Sequence, residues 1–479
     1  MNKQRLISSV LLAALLSGCS MIPNYERPAV ETPASWSEVN ASEPTQIAKD
    51  WWKQFNSAEL NSLMEQALVS NTDIGMAVQR VEQARGTLRS TGSSLLPSVD
   101  GTGGLGYERR DPGQGKTTSD PVGNVGLGIS YELDIFGKNR ARTGAASARL
   151  QASEYDRDAI ALIIMGDVAQ TYFNVLNLQE RLAIADKNLE SAQELLRIVQ
   201  ARFDAGATTL LDVSQQKSDL ASTEASRALL EQQTNIARTA LAVLVGKAPQ
   251  NFTVSGNELR TLSVPQIAPG QPSTLLERRP DIRAAEANLI AANADIGAAR
   301  AAFFPSITLG LDASILASPL HDPATTVLSL ASGLVAPIFK GGLLQGNLDT
   351  TNARKLELVE NYRKVVLVSF KEVEDALTIV KTSNQREMSL ETAMNEARNA
   401  YNLSVQQYDA GAIDFQTLLI ARQTMYRAED AFIQTKNERL ASSATLFKAL
   451  GGGWSQEASR AQTQAHKNPP PPEPARKTE

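Results

Sequence analysis

The sequence predicts an α+β membrane protein. Three chains would each give four strands to one twelve-stranded transmembrane β-barrel, continued in water by a long tube of helices. Three observations carry this expectation. Four segments of about ten residues alternate apolar side chains with small or polar ones, the pattern of a barrel strand with one face in lipid. Apolar positions spaced four and three apart fill long proline-free stretches. The whole layout occurs twice in the 479 residues.

Composition removes most other classes. Lys and Arg number 47 against 52 Asp and Glu, and no basic run stands out, so nucleic acid is not an expected partner. The single cysteine, Cys19, excludes a disulfide framework and paired-cysteine zinc or redox sites. His321 and His466 have no carboxylate cluster beside them in the sequence. No catalytic triad, metal site or cofactor motif is expected, and the chain reads as a non-enzyme.

The first residues are an address. Lys3 and Arg5 precede the apolar run Leu6–Leu16, too short to span a bilayer, so residues 1–18 read as a signal peptide. Leu16-Ser17-Gly18-Cys19 resembles a bacterial lipobox. That resemblance implies cleavage before Cys19 and acylation (palmitate among the chains), hence contact with membrane lipid. Ser20 carries no acidic retention signal, which by the sorting pattern of lipoproteins favours the outer membrane of a Gram-negative bacterium. An ordinary signal peptide with an incidental cysteine is the plainer alternative. Residues 19–60, punctuated by Pro23, Pro28, Pro33 and Pro44, read as a lipid-anchored strap.

The duplication rests on landmarks in one order. Phe203-Asp204-Ala205-Gly206-Ala207 recurs as Tyr408-Asp409-Ala410-Gly411-Ala412, and Leu95-Leu96-Pro97-Ser98-Val99 as Phe303-Phe304-Pro305-Ser306-Ile307. Leu244-Val245-Gly246 recurs as Ala449-Leu450-Gly451, and Asp134-Ile135-Phe136-Gly137 is echoed by Pro337-Ile338-Phe339-Lys340. Residues 61–248 form the first repeat, 249–278 an equatorial linker and 279–454 the second repeat; the Gln-, Ala- and Pro-rich 455–479 reads as a disordered tail. Each repeat holds a helix, two strands, a very long helix, a glycine turn and a second helix. In the first, Ile164, Val168, Thr171, Val175, Leu178, Leu182, Ala185, Leu189, Ala192, Leu196, Val199 and Phe203 form one heptad seam. The second has Val359, Val366, Val373 and Val380, with Phe370 and Leu377 between them. A helix of about 65 residues at 1.5 Å each would reach roughly 100 Å.

The strands need partners. Val125, Leu127, Ile129, Tyr131 and Leu133 share one face, with Asn124, Gly126, Gly128 and Ser130 opposite. Ile307, Leu309, Leu311 and Ile315 alternate with Thr308, Gly310, Asp312 and Ser314. Val99–Glu108 and Leu328–Val335 repeat the pattern more weakly. Beyond the signal peptide no apolar run appears long enough for a spanning helix, so any crossing is expected to be β. Four strands leave two open edges, which lipid does not tolerate. Three copies give an even-numbered barrel of ordinary size. Arg109–Gly123 and Ala317–Ala324 would be its extracellular turns.

These features resemble a known family, the outer-membrane factors: TolC- and OprM-like channels of tripartite RND-type multidrug efflux pumps, here of the lipoprotein branch. The resemblance is carried by Leu275-Leu276-Glu277-Arg278-Arg279-Pro280-Asp281-Ile282, by Ala298-Ala299-Arg300-Ala301-Ala302-Phe303-Phe304-Pro305-Ser306-Ile307, by Tyr131–Gly137 and by Lys448–Trp454. It implies a homotrimer with a periplasmic α-barrel. It also implies a passive exit channel for drugs and other small molecules, joined by a periplasmic adaptor (membrane fusion) protein to an inner-membrane RND-type transporter. The absence of a GxxxxGK[ST] loop agrees with that division of labour.

The resemblance further implies a gate at the two glycine turns, Gly206 and Gly411. Counted from those glycines, Asp212 and Tyr408 match a hydrogen-bonded link of the family; a first-turn acid and a seam aromatic are the plainer alternatives. Family members often carry an acid nine residues after the second glycine. Here that position is Ile420, and the preceding pore position is Gln416. Asp414, one turn nearer the tip, is the replacement acid, or else simply the N-cap of the last helix. Two rivals stay open: an outer-membrane exit for one-step protein secretion, and a non-conducting coiled-coil lipoprotein.

Overall fold

The computed structural model describes residues 20–38, 47–110, 113, 117–256, 258–317 and 325–452. Cys19, His321, His466, Trp454 and the tail 455–479 lie outside the described residues. After a short 3-10 turn at Trp51–Phe55 come α1 (Ala58–Ser70), α2 (Thr72–Gly92), β1 (Ser98–Arg110), β2 (Thr118–Leu133), α3 (Lys138–Asp204) and α4 (Leu210–Leu244). Four short turns, the last at Leu275–Arg278, lead to α5 (Pro280–Ala301). Then follow β3 (Ser306–Ala317), β4 (Thr325–Val335), α6 (Leu343–Asp409) and α7 (Phe415–Ala449). The expected strap therefore ends inside α1. The long helices α3 and α6 have 67 residues each, and their partners α4 and α7 have 35 each, so the duplication holds to the residue.

The chain falls into two compact units that cut across the sequence repeats. One holds Met1–Ala29, Arg80–Glu154 and Arg283–Lys364. Its centre is an antiparallel meander in the order β1-β2-β3-β4, whose outer strands β1 and β4 have no partner on their far sides among the described residues. The register sets the faces. Val99, Ile129, Leu311 and Leu330 lie in one row across the sheet, and Gly101, Leu127, Ala313 and Leu328 in the next. Asp100, Gly128, Asp312 and Ser329 form a row on the opposite face. Leu105, Val125, Leu127, Leu328, Leu330 and Leu334 are all bare, so the apolar face is uncovered in the single chain. Glycine on the polar face leaves room for its neighbours: a Cβ on Gly128 would stand 2.9 Å from Asp312 Oδ1.

Two expectations about this unit need correction. The first hairpin turn is much shorter than Arg109–Gly123, because β1 and β2 pair as far as Arg110 opposite Thr118. Pro121 and Gly123, read as turn residues, lie in β2 near or beyond its last pairing with β3, at Gly123 opposite Ala317, where a strand tolerates proline. The echo of Asp134–Gly137 in Pro337–Lys340 is also misaligned by two. Gly137 and Gly342, with φ 73° and 86°, stand immediately before α3 and α6 and are the true counterparts.

In the same unit the N-terminal segment lies along α5. Ile22 sits on Gly297, where an added Cβ would come within 2.6 Å of it. Asn293 donates to the Pro23 carbonyl at 2.6 Å and accepts from Lys355 at 2.8 Å. Arg27 grips Glu286 with two bonds of 2.7 and 2.8 Å, and burial followed by the Glu286 charge pushes the Tyr25 phenol well up.

The second unit holds Val30–Gln79, Tyr155–Ile282 and Val365–Glu479. Its core gathers Trp51, Phe55, Leu60, Met64, Phe173, Leu241 and Phe447. Trp51 stacks on Phe447 at 5.0 Å, and Ser57 caps α1 while meeting the Tyr172 hydroxyl at 3.0 Å. Gly246, at φ 71°, presses on the Ser70 carbonyl, where a Cβ would approach to 2.2 Å. Arg279 bonds Asp281 and Glu372 at 2.7 Å each and the Ala449 carbonyl at 2.9 Å, which gives the Arg-Arg-Pro-Asp stretch a structural task at the end of α7.

The heptads hold where they matter: Val168, Val175, Leu178, Ala185, Ala192 and Val199 are buried, as are Val366, Phe370, Val373 and Leu377. One expectation fails. By length and composition α3 does contain a stretch apolar enough to cross a membrane. Most of it is buried inside the protein, where Leu162, Met165, Ala169, Phe173 and Leu176 join the core, so its hydrophobicity serves packing.

Candidate gate at the tips of two helical hairpins

Helices α3 and α4 form one hairpin, α6 and α7 the other, both tips lying in the second unit. Each first helix ends in the same backbone device. Gly206 N donates to Phe203 O at 2.9 Å and Ala207 N to Arg202 O at 2.7 Å; Gly411 N donates to Tyr408 O at 3.0 Å and Ala412 N to Gln407 O at 2.8 Å. Both glycines sit near φ 73°, at 74° and 72°, the left-handed turn that frees the chain to reverse.

Each second helix starts with a side-chain cap, written in opposite senses. Thr209 caps α4, accepting from the Asp212 amide, while the Asp212 carboxylate answers the Thr209 amide at 3.1 Å. The Thr208 and Thr209 hydroxyls donate to that carboxylate at 2.6 and 2.8 Å. The Thr208 bond first, then the two Thr209 bonds, hold Asp212 below the ordinary carboxylate range. In α7 the acid is the cap itself: Asp414 accepts from the Thr417 amide at 2.8 Å. The Thr417 contacts hold its carboxyl low, against a small opposing effect of the nearby Asp212 charge.

This alters the expected link. Within the chain Asp212 is engaged by its own cap and does not bond Tyr408. Tyr408 is buried in a cluster with Leu195, Val199, Val213, Phe415, Leu418 and Leu419. Its ring meets Phe415 edge-on at 6.2 Å and lies 4.2 Å below the Arg202 guanidinium. Its counterpart in the first repeat, Phe203, is exposed rather than in the seam. Asp414 takes the N-cap role foreseen as its plainer alternative. Gln416 and Ile420, four apart, are exposed together on one face of α7.

The strongest tie between the hairpins was not anticipated. Arg422 of α7 is 2% exposed and forms an ion pair with Asp219 of α4. Gln423 donates to the other Asp219 oxygen at 3.0 Å, and Arg422 reaches the Asn188 carbonyl of α3 at 3.4 Å. Burial lowers the Arg422 pKa, and its Nε has no hydrogen-bond partner among the described residues. One guanidinium thus joins α7 to both helices of the other hairpin. Arg181 to Asp430, at 2.6 Å, adds a second tie between α3 and α7. A signal was available: Arg422 follows Phe415 and Leu418 at seam spacing, a place for an apolar residue. On α4 the buried positions Gln216, Thr223, Leu230 and Ala237 recur every seven residues and turn polar toward the tip.

Comparison with known proteins decides the class. The outer membrane efflux protein family matches residues 63–247 and 271–452. The chain belongs to that family. The pyoverdine export outer membrane protein OpmQ of Pseudomonas aeruginosa is 38% identical over 465 residues, covering 95% of this chain and 97% of OpmQ. The cation efflux system protein CusC of Escherichia coli O6:H1 is 33% identical, over 93% of this chain and 98% of CusC. Among solved structures, the Campylobacter jejuni CmeC outer membrane channel superposes with a TM-score of 0.87 at 27% identity, covering 93% of this chain and 98% of that one. Among the described residues no group of His, Cys, Asp and Glu is arranged to hold a metal ion.

Proposed function

We propose that this efflux protein is the outer-membrane exit channel of a tripartite pump, a non-enzymatic conduit for drugs and other small molecules. The observation that carries the proposal is a four-stranded sheet with one bare apolar face and two unpaired edges. Neither feature is stable in a lone chain, and lipid plus two further copies satisfies both. A third unpaired surface agrees: Leu229, Ile236 and Val243, seven apart on α4, are all bare. Twelve strands close the barrel, and the long helices of three copies form the periplasmic tube. The relatives point to small cargo, since OpmQ is named for pyoverdine export and CusC for cation efflux. An adaptor and an inner-membrane RND-type transporter supply the junction and the energy. Acylation of Cys19 adds an anchor. In resting trimers Asp414, Gln416 and Ile420 border the narrowing, and Arg422 with Asp219 holds the two hairpins of each chain together.

Reconstitution into planar bilayers tests the channel. Purified full chain should give discrete conductance steps, and Asp414→Asn should reduce cation preference without enlarging them. Protein that inserts as trimers yet conducts nothing would favour the structural lipoprotein instead.

A further inference from the structure

The apolar face of the sheet changes character at the end away from the helices. Two residues nearer the helices, Val125 of β2 pairs with Ile315 of β3, and both side chains are bare. In the end row Gly123 lies between Leu105 of β1 and Ala317 of β3. Gly123 has no side chain to fill its place, and Leu105 leans over it: a Cβ on Gly123 would stand 3.2 Å from Leu105 Cδ2. The result is a dent of about 610 Å³, lined mostly by apolar atoms of Leu105, Tyr107, Pro121, Val122 and Ala317. That volume is in the range of small-ligand sites, about 300–1,000 Å³.

Strand β1 carries three different chemistries past this dent on one face. Leu105 is 96% exposed and Tyr107 82% exposed, and Arg109 is exposed beyond them. Alternation along the strand puts all three on the apolar side, over a span of about 14 Å. Arg109 stands opposite Ser119, and its guanidinium has no hydrogen bond or ion pair among the described residues. Helices α2 and α3 adjoin the other end of this hairpin, at Ser98 and Leu133, so in a barrel with periplasmic helices Arg109 points the order outward. From the membrane interior the chain therefore presents aliphatic, aromatic and basic groups in turn. A lipid presents acyl chain, interface and phosphate in the same order.

We infer that the dent, Tyr107 and Arg109 together hold one anionic lipid of the outer leaflet, with an acyl chain in the dent and a phosphate on Arg109. This rests on the membrane reading of the sheet and adds which lipid it holds and where. The dent alone would accept any acyl chain, and Arg109 alone any anion. Their fixed separation along one strand selects a molecule that carries both. The planar guanidinium suits a phosphate, which it can meet with two parallel hydrogen bonds.

Native mass spectrometry of full-length trimers, extracted from outer membranes and stripped of lipid in detergent, tests the site by titration with bisphosphorylated lipid A. The parent should retain one tightly held lipid per chain. Arg109→Gln should weaken that uptake about fivefold, the effect of one arginine on an anionic lipid. The same variant should leave uptake of dephosphorylated lipid A unchanged. Gly123→Leu fills the dent, and the bare Leu105 side chain can give way to it. It should weaken uptake of both lipids about tenfold, the worth of two buried methylenes. Ala317→Leu fills the dent from the neighbouring strand and serves if the first variant does not assemble. Inorganic phosphate should not displace the lipid; displacement would overturn the lipid in favour of a bare anion. Uptake that is unchanged by Arg109→Gln, or by both fillings, would overturn the site and leave closure by three standing. A parent protein that is not trimeric would remove the site together with the membrane reading.

Discussion

The two hairpin tips share one backbone and differ in what their side chains hold. Gly206 and Gly411 close the same turn, and α4 and α7 have the same length. Yet the caps differ: at the first tip Thr208, Thr209 and Asp212 satisfy one another and Phe203 stays exposed, and Arg202 reaches over to the Tyr408 ring and Asp409. The second tip reaches across. Tyr408 and Phe415 enter the shared cluster, and Arg422 ties α7 to α3 and α4. The residue equivalent to Arg422 in the first repeat is Lys217, which is exposed. Duplication has thus conserved the turn and divided the labour, so that one hairpin offers a self-contained cap and the other provides the grip.

The largest expected effect comes from removing that grip. Arg422→Leu strands the Asp219 carboxylate beside an apolar side chain, and breaking one side of a buried pair costs about 3–5 kcal/mol. Hydrogen exchange of amides around 188, 219 and 422 should rise by that equivalent in trimers, whereas Lys217→Leu should leave them unchanged. Equal effects would erase the contrast between the tips. A double-mutant cycle with Asp219→Asn should show strong coupling.

A smaller effect separates the aromatics. Tyr408→Ala removes a buried ring and should loosen the tips enough to raise single-channel conductance, while Phe203→Ala should not. Tyr408→Phe with Asp212→Ala sharpens the point. If the family-type link forms between neighbouring copies, this double variant raises conductance and lets large antibiotics leak inward. If it conducts like the parent, Arg422 with Asp219 is the tie that counts.

The smallest expected effects are at the caps. Thr209→Ala should cost about 1 kcal/mol locally, seen as faster exchange at 210–213. Asp212 has its folded pKa lowered, so its contribution is fully present above the unfolded value of about 3.9 and is lost as pH falls through the folded one. Spin labels on the first tip should therefore report increased motion only below about pH 4, and Asp212→Asn should show that motion already at neutral pH.

Much of this was legible in the sequence, for reasons that differ by element. Heptads at Val168, Val175, Ala185 and Val199 named the buried seam because a helix face repeats faithfully along 67 residues. The strands were legible because Leu127, Ile129 and Leu311 alternate with glycine, serine and aspartate across one sheet. Boundaries were less so: Pro121 carries a turn signal whose meaning depends on β3 ending at Ala317. The Ile-Phe echo misled because similar letters at 135–136 and 338–339 outweighed the glycines that mark helix entry. The grip was hidden because Arg422 and Asp219 lie on different hairpins, and only packing brings them together. Cys19, which bears the anchor expectation, lies outside the described residues.

The account turns on closure of a four-stranded sheet by three identical chains. Native mass spectrometry of protein extracted in detergent from outer membranes tests that most directly. The predicted result is a single species at three times the mass of the mature chain, lipid-modified at Cys19, and a trimer that persists in Cys19→Ser because the barrel rather than the lipid holds it. A stable monomer or dimer would contradict the account, since neither four nor eight strands could surround the conduit proposed here.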